Sequence, residues 1–308
     1  MGHVSARPHH LAFIGYQSCV YLICNIYVKL SDGILAIIIN MVKKIIVIVT
    51  SLIIVIATCI INATIFNTKQ IQTRQVILKS EKINEESSNI LIAYFSDLHY
   101  GTYIDNDFLE NVINKISDYK PDVIIFGGDL LDNINEDNKV YLTDALETLD
   151  AEYGKYAILG DQDKTNEDDI SNILKDADFK IIDDTNITIN INNESSINIV
   201  GIDNNFDEAF HGINSNNYTL VVGHYPDFFE DIIDYDFDYM LAGHSHGGQI
   251  YIPLINYFFR KQGCQKYYHG KYQEDNKTLD ITNGVGRTDN NARFLADAEI
   301  VLYRLDSK

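Results

Sequence analysis

Seven residues able to ligate a cation close five short apolar runs of this 308-residue chain. Gly243-His244-Ser245-His246-Gly247-Gly248-Gln249 follows the apolar run 237–241. Two histidines two residues apart face the same way only where the backbone between them is extended. Asp97-Leu98-His99 follows the run 90–95 and repeats the spacing. Gly128-Asp129 follows 123–126, Gly160-Asp161 follows 156–159, and Gly223-His224 follows 219–222. In an open α/β sheet, ligands bind beyond the carboxyl ends of the strands. Five strands that each end in Asp or His therefore predict one shared site.

The donor types narrow the chemistry. Three carboxylates (Asp97, Asp129, Asp161) and four imidazoles (His99, His224, His244, His246) are too many for one tetrahedral ion. They suit two divalent ions about 3.5–4 Å apart, bridged by a carboxylate and a hydroxide. No cysteine lies near the motifs, which argues against a structural zinc site. With no axial Met either, a redox centre is disfavoured, while mixed nitrogen and oxygen donors fit Mn, Fe, Zn or Co.

The order Asp-x-His, Gly-Asp, Gly-Asp-Gln-Asp, Gly-His and Gly-His-x-His-Gly-Gly resembles that of the calcineurin-like metallophosphoesterases, most closely their membrane-anchored bacterial branch. The likeness runs from about Ile90 to Leu305, and the stretch Thr282-Asn283-Gly284-Val285-Gly286 with Arg293-Phe294 and Glu299-Ile300-Val301 is similar to the end of that branch. The resemblance implies that Asp97, His99 and His246 hold one ion, that Asp161, His224 and His244 hold the other, and that Asp129 bridges them. It implies a phosphate mono- or diester hydrolase acting through a metal-bridging hydroxide, with Asp129, Asp161, Gln162 and Asp163 at the catalytic positions.

The chain departs from the family at one motif. Where the family has Gly-Asn-His-Asp, it has Gly160-Asp161-Gln162-Asp163. Asp161 adds a negative charge where Asn is neutral, which makes the site less attractive to phosphate and raises the pKa of bound water. The family's His steadies the phosphoryl oxygens or protonates the leaving group. Gln162 donates a hydrogen bond but delivers no proton. Either the substrate has a good leaving group, or another acid serves, with Asp163 and His211 as candidates. A catalytically weak or silent metal-binding or phosphate-binding relative is the alternative reading.

The elements that must position these residues follow from periodicity. The stretch 106–119 carries a helical stripe of Phe108, Leu109, Val112, Ile113 and Ile116 that Pro121 stops. Helices are also expected over 137–149, 165–177 and 226–233. Strands are expected over 186–191 and 197–202, paired around Asn192-Asn193-Glu194. The stretches 249–252, 278–282 and 298–305 are expected to complete a second sheet. The fold class is α/β, a two-sheet β-sandwich flanked by helices in α/β/β/α order (the metallo-dependent phosphatase type), preceded by an N-terminal membrane helix. Residues 1–40 read as an extension of uncertain standing, because Met41-Val42-Lys43-Lys44 looks like a natural start. Residues 41–66 read as a transmembrane or signal-anchor segment, 67–89 as a linker with a strand at 74–78, and 90–308 as the metallophosphoesterase domain.

Ile45 to Ile61 is uncharged and apolar with no polar face, as lipid requires. Lys43 and Lys44 before it favour a single-pass anchor in the cell membrane with the catalytic domain outside. A second apolar stretch, 11–28, would make a hairpin if inserted and would put the enzyme inside. Twenty-four basic against 44 acidic residues leave a net charge of −20, which excludes a nucleic-acid-binding face. Four cysteines make no disulfide framework. The expected partners are a phosphoester substrate, with lipid-linked ones among the candidates, and the membrane; no protein partner is implied. Two further features bear on the pocket: the aromatic stretch 251–261 with Phe258, Phe259 and Arg260 reads mainly as a buried strand and loop, and Asp132 is placed to orient a ligand histidine.

Overall fold

The structure is a computed structural model that describes residues 9–85, 89–192, 195–253 and 260–308, with side chains from residue 20 onward except at 192. The chain divides into two units, which meet at residues 60 and 61. In the first, helix α1 (His9–Ile61) is continuous, so the two apolar stretches form one helix rather than a hairpin. Ser31-Asp32-Gly33 interrupts the apolar residues, but one glycine in a long apolar run does not end a helix. It is the only helix among the described residues long and apolar enough to cross a membrane.

The second unit is built from strands β1 (Ile71–Ser80), β2 (Leu91–Phe95), β3 (Val123–Phe126), β4 (Lys155–Ala157), β5 (Phe179–Ile181), β6 (Thr185–Asn192), β7 (Ser195–Ile202), β8 (Tyr218–Gly223), β9 (Tyr239–Ala242), β10 (Gly270–Glu274), β11 (Lys277–Ile281) and β12 (Ala298–Ser307). They form two six-stranded sheets, ordered β1-β12-β2-β3-β4-β5 and β10-β11-β9-β8-β7-β6. Helices α2 (Asn106–Asp118), α3 (Glu136–Glu147) and α4 (Glu167–Asp176) accompany the first sheet, and the short α5 (Phe206–Ala209) and α6 (Phe228–Asp231) the second.

Alternation along the strands makes the layers. In β2, Ile92 and Tyr94 point between the sheets, where they pack with Val123, Ile125, Leu220, Val222 and Leu241. Ala93 and Phe95 point the other way, onto Leu109 and Val112 of α2. Strands buried on both faces read as continuous apolar runs, which is why β2, β3, β8 and β9 were legible. The stripe on α2 is buried as its period requires, and the Asp105 side chain caps the helix by accepting from the Phe108 amide.

Two expectations need correction. Ala298–Ser307 is not in the second sheet: it lies inside the first, antiparallel to β2 and parallel to β1. Its Val301, Tyr303 and Leu305 face the inter-sheet core while Ile300 and Leu302 face the helices, and a strand apolar on both sides needs an interior place. Residues 249–252 form no strand. Gly247, Gly248 and Gln249 all have positive φ, which breaks extended pairing, and only a single bridge joins Ile250 to Phe294. Within 67–89 the strand expected at 74–78 is present and longer, as β1, paired in register from Ile71↔Ala298 to Ser80↔Ser307. The expected turn residues Asn193 and Glu194, and Phe258 and Phe259, lie outside the described residues.

Candidate metal centre

All seven predicted donors gather at the carboxyl ends of β2, β3, β4, β8 and β9. The loops after β2 and β3 run side by side, with the Asp97 amide donating to Gly128 O at 2.8 Å and the His99 amide to Asp129 O at 3.1 Å. That ladder fixes the register of three donors. Close packing sets the next loop: a Cβ at Gly128, whose φ is +94°, would lie 2.5 Å from the Gly160 amide nitrogen.

The donors fall into two groups that could each hold a metal: Asp97, His99 and His246, and Asp129, Asp161, His224 and His244. Within each, the donor atoms lie within 4.8 Å of one another. Asp161 Oδ1 is 3.0 Å from His244 Nδ1 and 3.1 Å from His224 Nε2. Asp129 Oδ2 stands 3.4 Å from His224 Nε2 and 3.5 Å from His99 Nε2, between the groups. The imidazoles are aimed from behind. His99 Nδ1 meets Asp132 Oδ1 at 2.6 Å, His224 Nδ1 meets Gly127 O at 2.9 Å, and His244 Nε2 meets Gln262 O at 2.8 Å. The carbonyls can only accept, so each holds a proton on the outer ring nitrogen and leaves His224 Nε2 and His244 Nδ1 facing the centre, where they would ligate a bound cation through their lone pairs; Asp132 does the same for His99 Nε2.

These residues fit divalent cations. Asp97 Oδ2, His99 Nε2 and His246 Nδ1 are buried without a hydrogen-bond partner, although buried polar atoms normally find one. Five of the seven donors (Asp97, His99, Asp129, His244, His246) also have positive φ, each at a cost of order 1 kcal/mol that the fold must sustain. Burial works against ionisation throughout. It raises Asp97, and it lowers His246 with help from the His99 charge. At His224 burial is outweighed by Asp129 and Asp161, which hold the imidazole well above its usual range. Hydrogen bonds from His224 and His244 likewise overcome burial at Asp161 and hold it far below the carboxylate range.

Gln162 sits at the exposed rim, where its Nε2 donates to Asp161 Oδ2 at 3.1 Å and its amide donates to Asp129 Oδ1 at 3.0 Å. Asp163 is not placed as a proton donor. Its buried carboxylate accepts from the amides of Asp129 at 2.8 Å, Leu130 at 2.8 Å and Gly160 at 2.9 Å, tying the β3 and β4 loops together. Burial and the Asp129 charge push it up to about 6 despite those amides. His211, the other expected acid, is exposed after α5 and belongs to neither donor group.

Sequence reading gave no role to two contributors. Arg293 is fully buried and donates to the carbonyls of Ala296, Asn283, Gly284 and Gly286. That clamp holds the loop whose Val285 and Gly286 amides donate to Ser96 O at 2.9 Å and Asp97 O at 2.7 Å. Tyr225 lays its ring 4.6 Å from His244, centroid to centroid. Its position next to His224 was the only signal available.

The family model for calcineurin-like phosphoesterases matches residues 90–248. The chain is 27% identical over 246 residues to the uncharacterized metallophosphoesterase YkuE of Bacillus subtilis, which covers 77% of this chain and 86% of that one. It is 27% identical over 202 residues to the phosphodiesterase YaeI of Escherichia coli, 63% of this chain and 74% of that one. It is 25% identical over 276 residues to the UDP-2,3-diacylglucosamine pyrophosphatase LpxG of Chlamydia trachomatis, 69% and 82% respectively. With two donor groups built where strands of both sheets end and the family match spanning more than half of its length, the chain belongs to the calcineurin-like phosphoesterases.

Proposed function

We propose that this protein is a membrane-tethered phosphoesterase that hydrolyses a phosphate mono- or diester with two divalent ions, Mn, Fe, Zn or Co. One observation carries the binuclear reading: Asp129 Oδ2 lies within 3.5 Å of a histidine from each donor group, which is where a shared ligand belongs. Asp97, His99 and His246 would hold one ion, Asp161, His224 and His244 the other, with Asp129 common to both. Bound there, the ions would supply a Lewis acid for the phosphoryl oxygens and a water acidic enough to attack phosphorus.

The remaining work falls to the chain. Asp132, Gly127 O and Gln262 O keep the three imidazoles in the tautomers that ligate. The Gln162 side chain offers an amide N–H at the rim but no proton, so the ester oxygen that departs must be a weak base or take its proton from water. The names of YaeI and LpxG, a phosphodiesterase and a pyrophosphatase, support cleavage of a bond to phosphorus. Helix α1 would anchor the enzyme, with Lys43 and Lys44 favouring an external catalytic unit.

Gln162 favours a second reading, a slow or silent relative that binds metal and phosphate without turnover. Metal analysis of the purified protein, together with turnover of an aryl phosphodiester before and after chelation, separates the two. Chelator-sensitive turnover restored by Mn supports the hydrolase; bound metal with no turnover sinks it.

A further inference from the structure

We infer that the Tyr225 hydroxyl donates a hydrogen bond to the phosphoryl group held beside Asp161, taking over part of the role of the His that Gln162 replaces. This deepens the hydrolase reading and rests on it. The backbone delivers the ring to the centre. Tyr225 follows His224 directly and precedes Pro226, which disfavours a helical backbone at the residue before it. The chain then turns, with the Phe228 amide donating to Tyr225 O at 3.3 Å. The Tyr225 ring stands edge-on to His244, 4.6 Å between centroids at 76°, and lies 5.6 Å from His224. Phe228 packs against it at 5.3 Å, and Gly263 closes the cage. A Cβ at Gly263 would lie 2.4 Å from Tyr225 Cδ1, so a side chain there would push the ring off. The ring is therefore held against two of the candidate ligands.

Its hydroxyl, in contrast, is left open. Tyr225 is half-buried, and no hydrogen bond joins its hydroxyl to any of the described residues. Asp161 is the charge that acts on it most strongly, ahead of His224, Lys164 and Asp129. Phenols elsewhere in the chain close on the carboxylates beside them: Tyr239 donates to Asp280 at 3.0 Å and Tyr267 to Glu274 at 2.6 Å. Tyr225 and Asp161 stand near enough to feel each other and too far apart to bond. The space between them is where an oxygen bound to a cation at Asp161 would lie.

The neighbouring donors are engaged. Gln162 Nε2 already donates to Asp161 Oδ2 at 3.1 Å, and Lys164 is ion-paired with Asp203, just beyond the end of β7. Asp161 also places a negative charge where an anionic phosphate must settle, and a donor pointed into the gap between two like charges offsets part of their repulsion. A phenol suits that task. It is a weak acid whose ordinary pKa of about 10 keeps the proton on oxygen at neutral pH, and it can donate one strong hydrogen bond. It would hold a phosphoryl oxygen as charge grows there, without supplying the proton that Gln162 also lacks.

The test compares the full Mn-loaded chain with its Tyr225→Phe and Tyr225→Leu variants. Calorimetry measures binding of inorganic phosphate, and competition with a fluorescent chelator measures Mn affinity. Tyr225→Phe keeps the ring against His244 and removes only the hydroxyl. Its Mn affinity should match the parent's while its phosphate affinity falls about tenfold, the size expected for a hydrogen bond to a charged group. Its kcat on an aryl phosphodiester should fall about 10²-fold, as when one donor to a developing oxyanion is lost. Tyr225→Leu removes the ring as well, and Mn affinity should fall with it. Equal phosphate affinity in the parent and Tyr225→Phe would overturn the inference. So would a parent that binds no phosphate, or a loss in Tyr225→Phe that only follows a loss of Mn. Turnover keeps the two ideas apart. Phosphate binding that depends on Tyr225 without turnover sinks the hydrolase and leaves the contact standing, whereas turnover without that dependence does the reverse.

Discussion

Gly160 and Asp129 leave no room between them: a Cβ at position 160 would sit 2.1 Å from Asp129 Oδ1. Gly160→Ala must therefore displace the carboxylate that stands between the two donor groups. A displacement on the order of 1 Å at a reacting centre costs about 10²-fold in rate. We expect that loss in metal-dependent turnover with an unchanged far-ultraviolet circular dichroism spectrum. Full activity would show that Asp129 does not have to stand where it does.

Asp132 acts through His99. Removing the 2.6 Å contact in Asp132→Ala frees the imidazole to turn and to change tautomer. Metal affinity should fall about 10–100-fold, as for other residues that orient a ligating histidine. Asp132→Asn, which keeps an acceptor oxygen, should recover part of it. Competition with a fluorescent chelator measures both.

Gln162→His restores an acid at the rim. The gain should be selective, about 10²-fold or more on an alkyl diester with a poor leaving group and small on a para-nitrophenyl diester, where no proton is needed. Equal gains on both would mean that position 162 serves binding rather than proton transfer.

Asp183 gives the stability of the fold a pH dependence. Its carboxylate accepts from the Leu159 amide at 3.1 Å, and burial, only partly offset by that bond, pushes it up to about 7. Its unfolded value is near 3.9, so folding takes up a proton between the two. The stabilising contribution is full below about pH 4 and is lost as pH rises through about 7. Asp183→Asn cannot ionise and can still accept from Leu159. Its melting temperature should gain on the parent by a few degrees between pH 5 and pH 8, and a constant difference across that range would refute the assignment.

The donor set was legible because each strand ends abruptly in Gly or a polar residue after an apolar run, a pattern that survives without knowing which strands pair. Pairing itself was not legible. Nothing local in Ala298–Ser307 says that it inserts between β1 and β2, because that choice depends on partners more than 200 residues away. Direction was hidden too. Asp161 and Asp163 are the same residue two positions apart, yet one faces the centre and the other accepts three backbone amides behind it. The roles of Arg293 and of the left-handed backbone at five donors are tertiary in origin, and sequence carries no sign of either.

The pairing of β1 with β12 sets an order of assembly. A ribosome releases Ile71–Ser80 long before Ala298–Ser307, so the first strand must wait unpaired until nearly the last residue of the chain has emerged. Its run of Gln72, Thr73, Arg74 and Gln75 keeps it soluble during that delay. Arg74 then closes on Asp280 at 2.8 Å and on Glu299 at 3.0 Å, both of them buried acids. A fragment cut at residue 90 would take the guanidinium from both acids, leave Asp280 only the Lys271 ammonium at 3.5 Å, and bare one side of β12; it should be recovered as aggregate, whereas one starting at residue 62 should stay monomeric and fold. The catalytic body begins at the foot of the helix, and shortening the chain to make it easier to handle has to stop there.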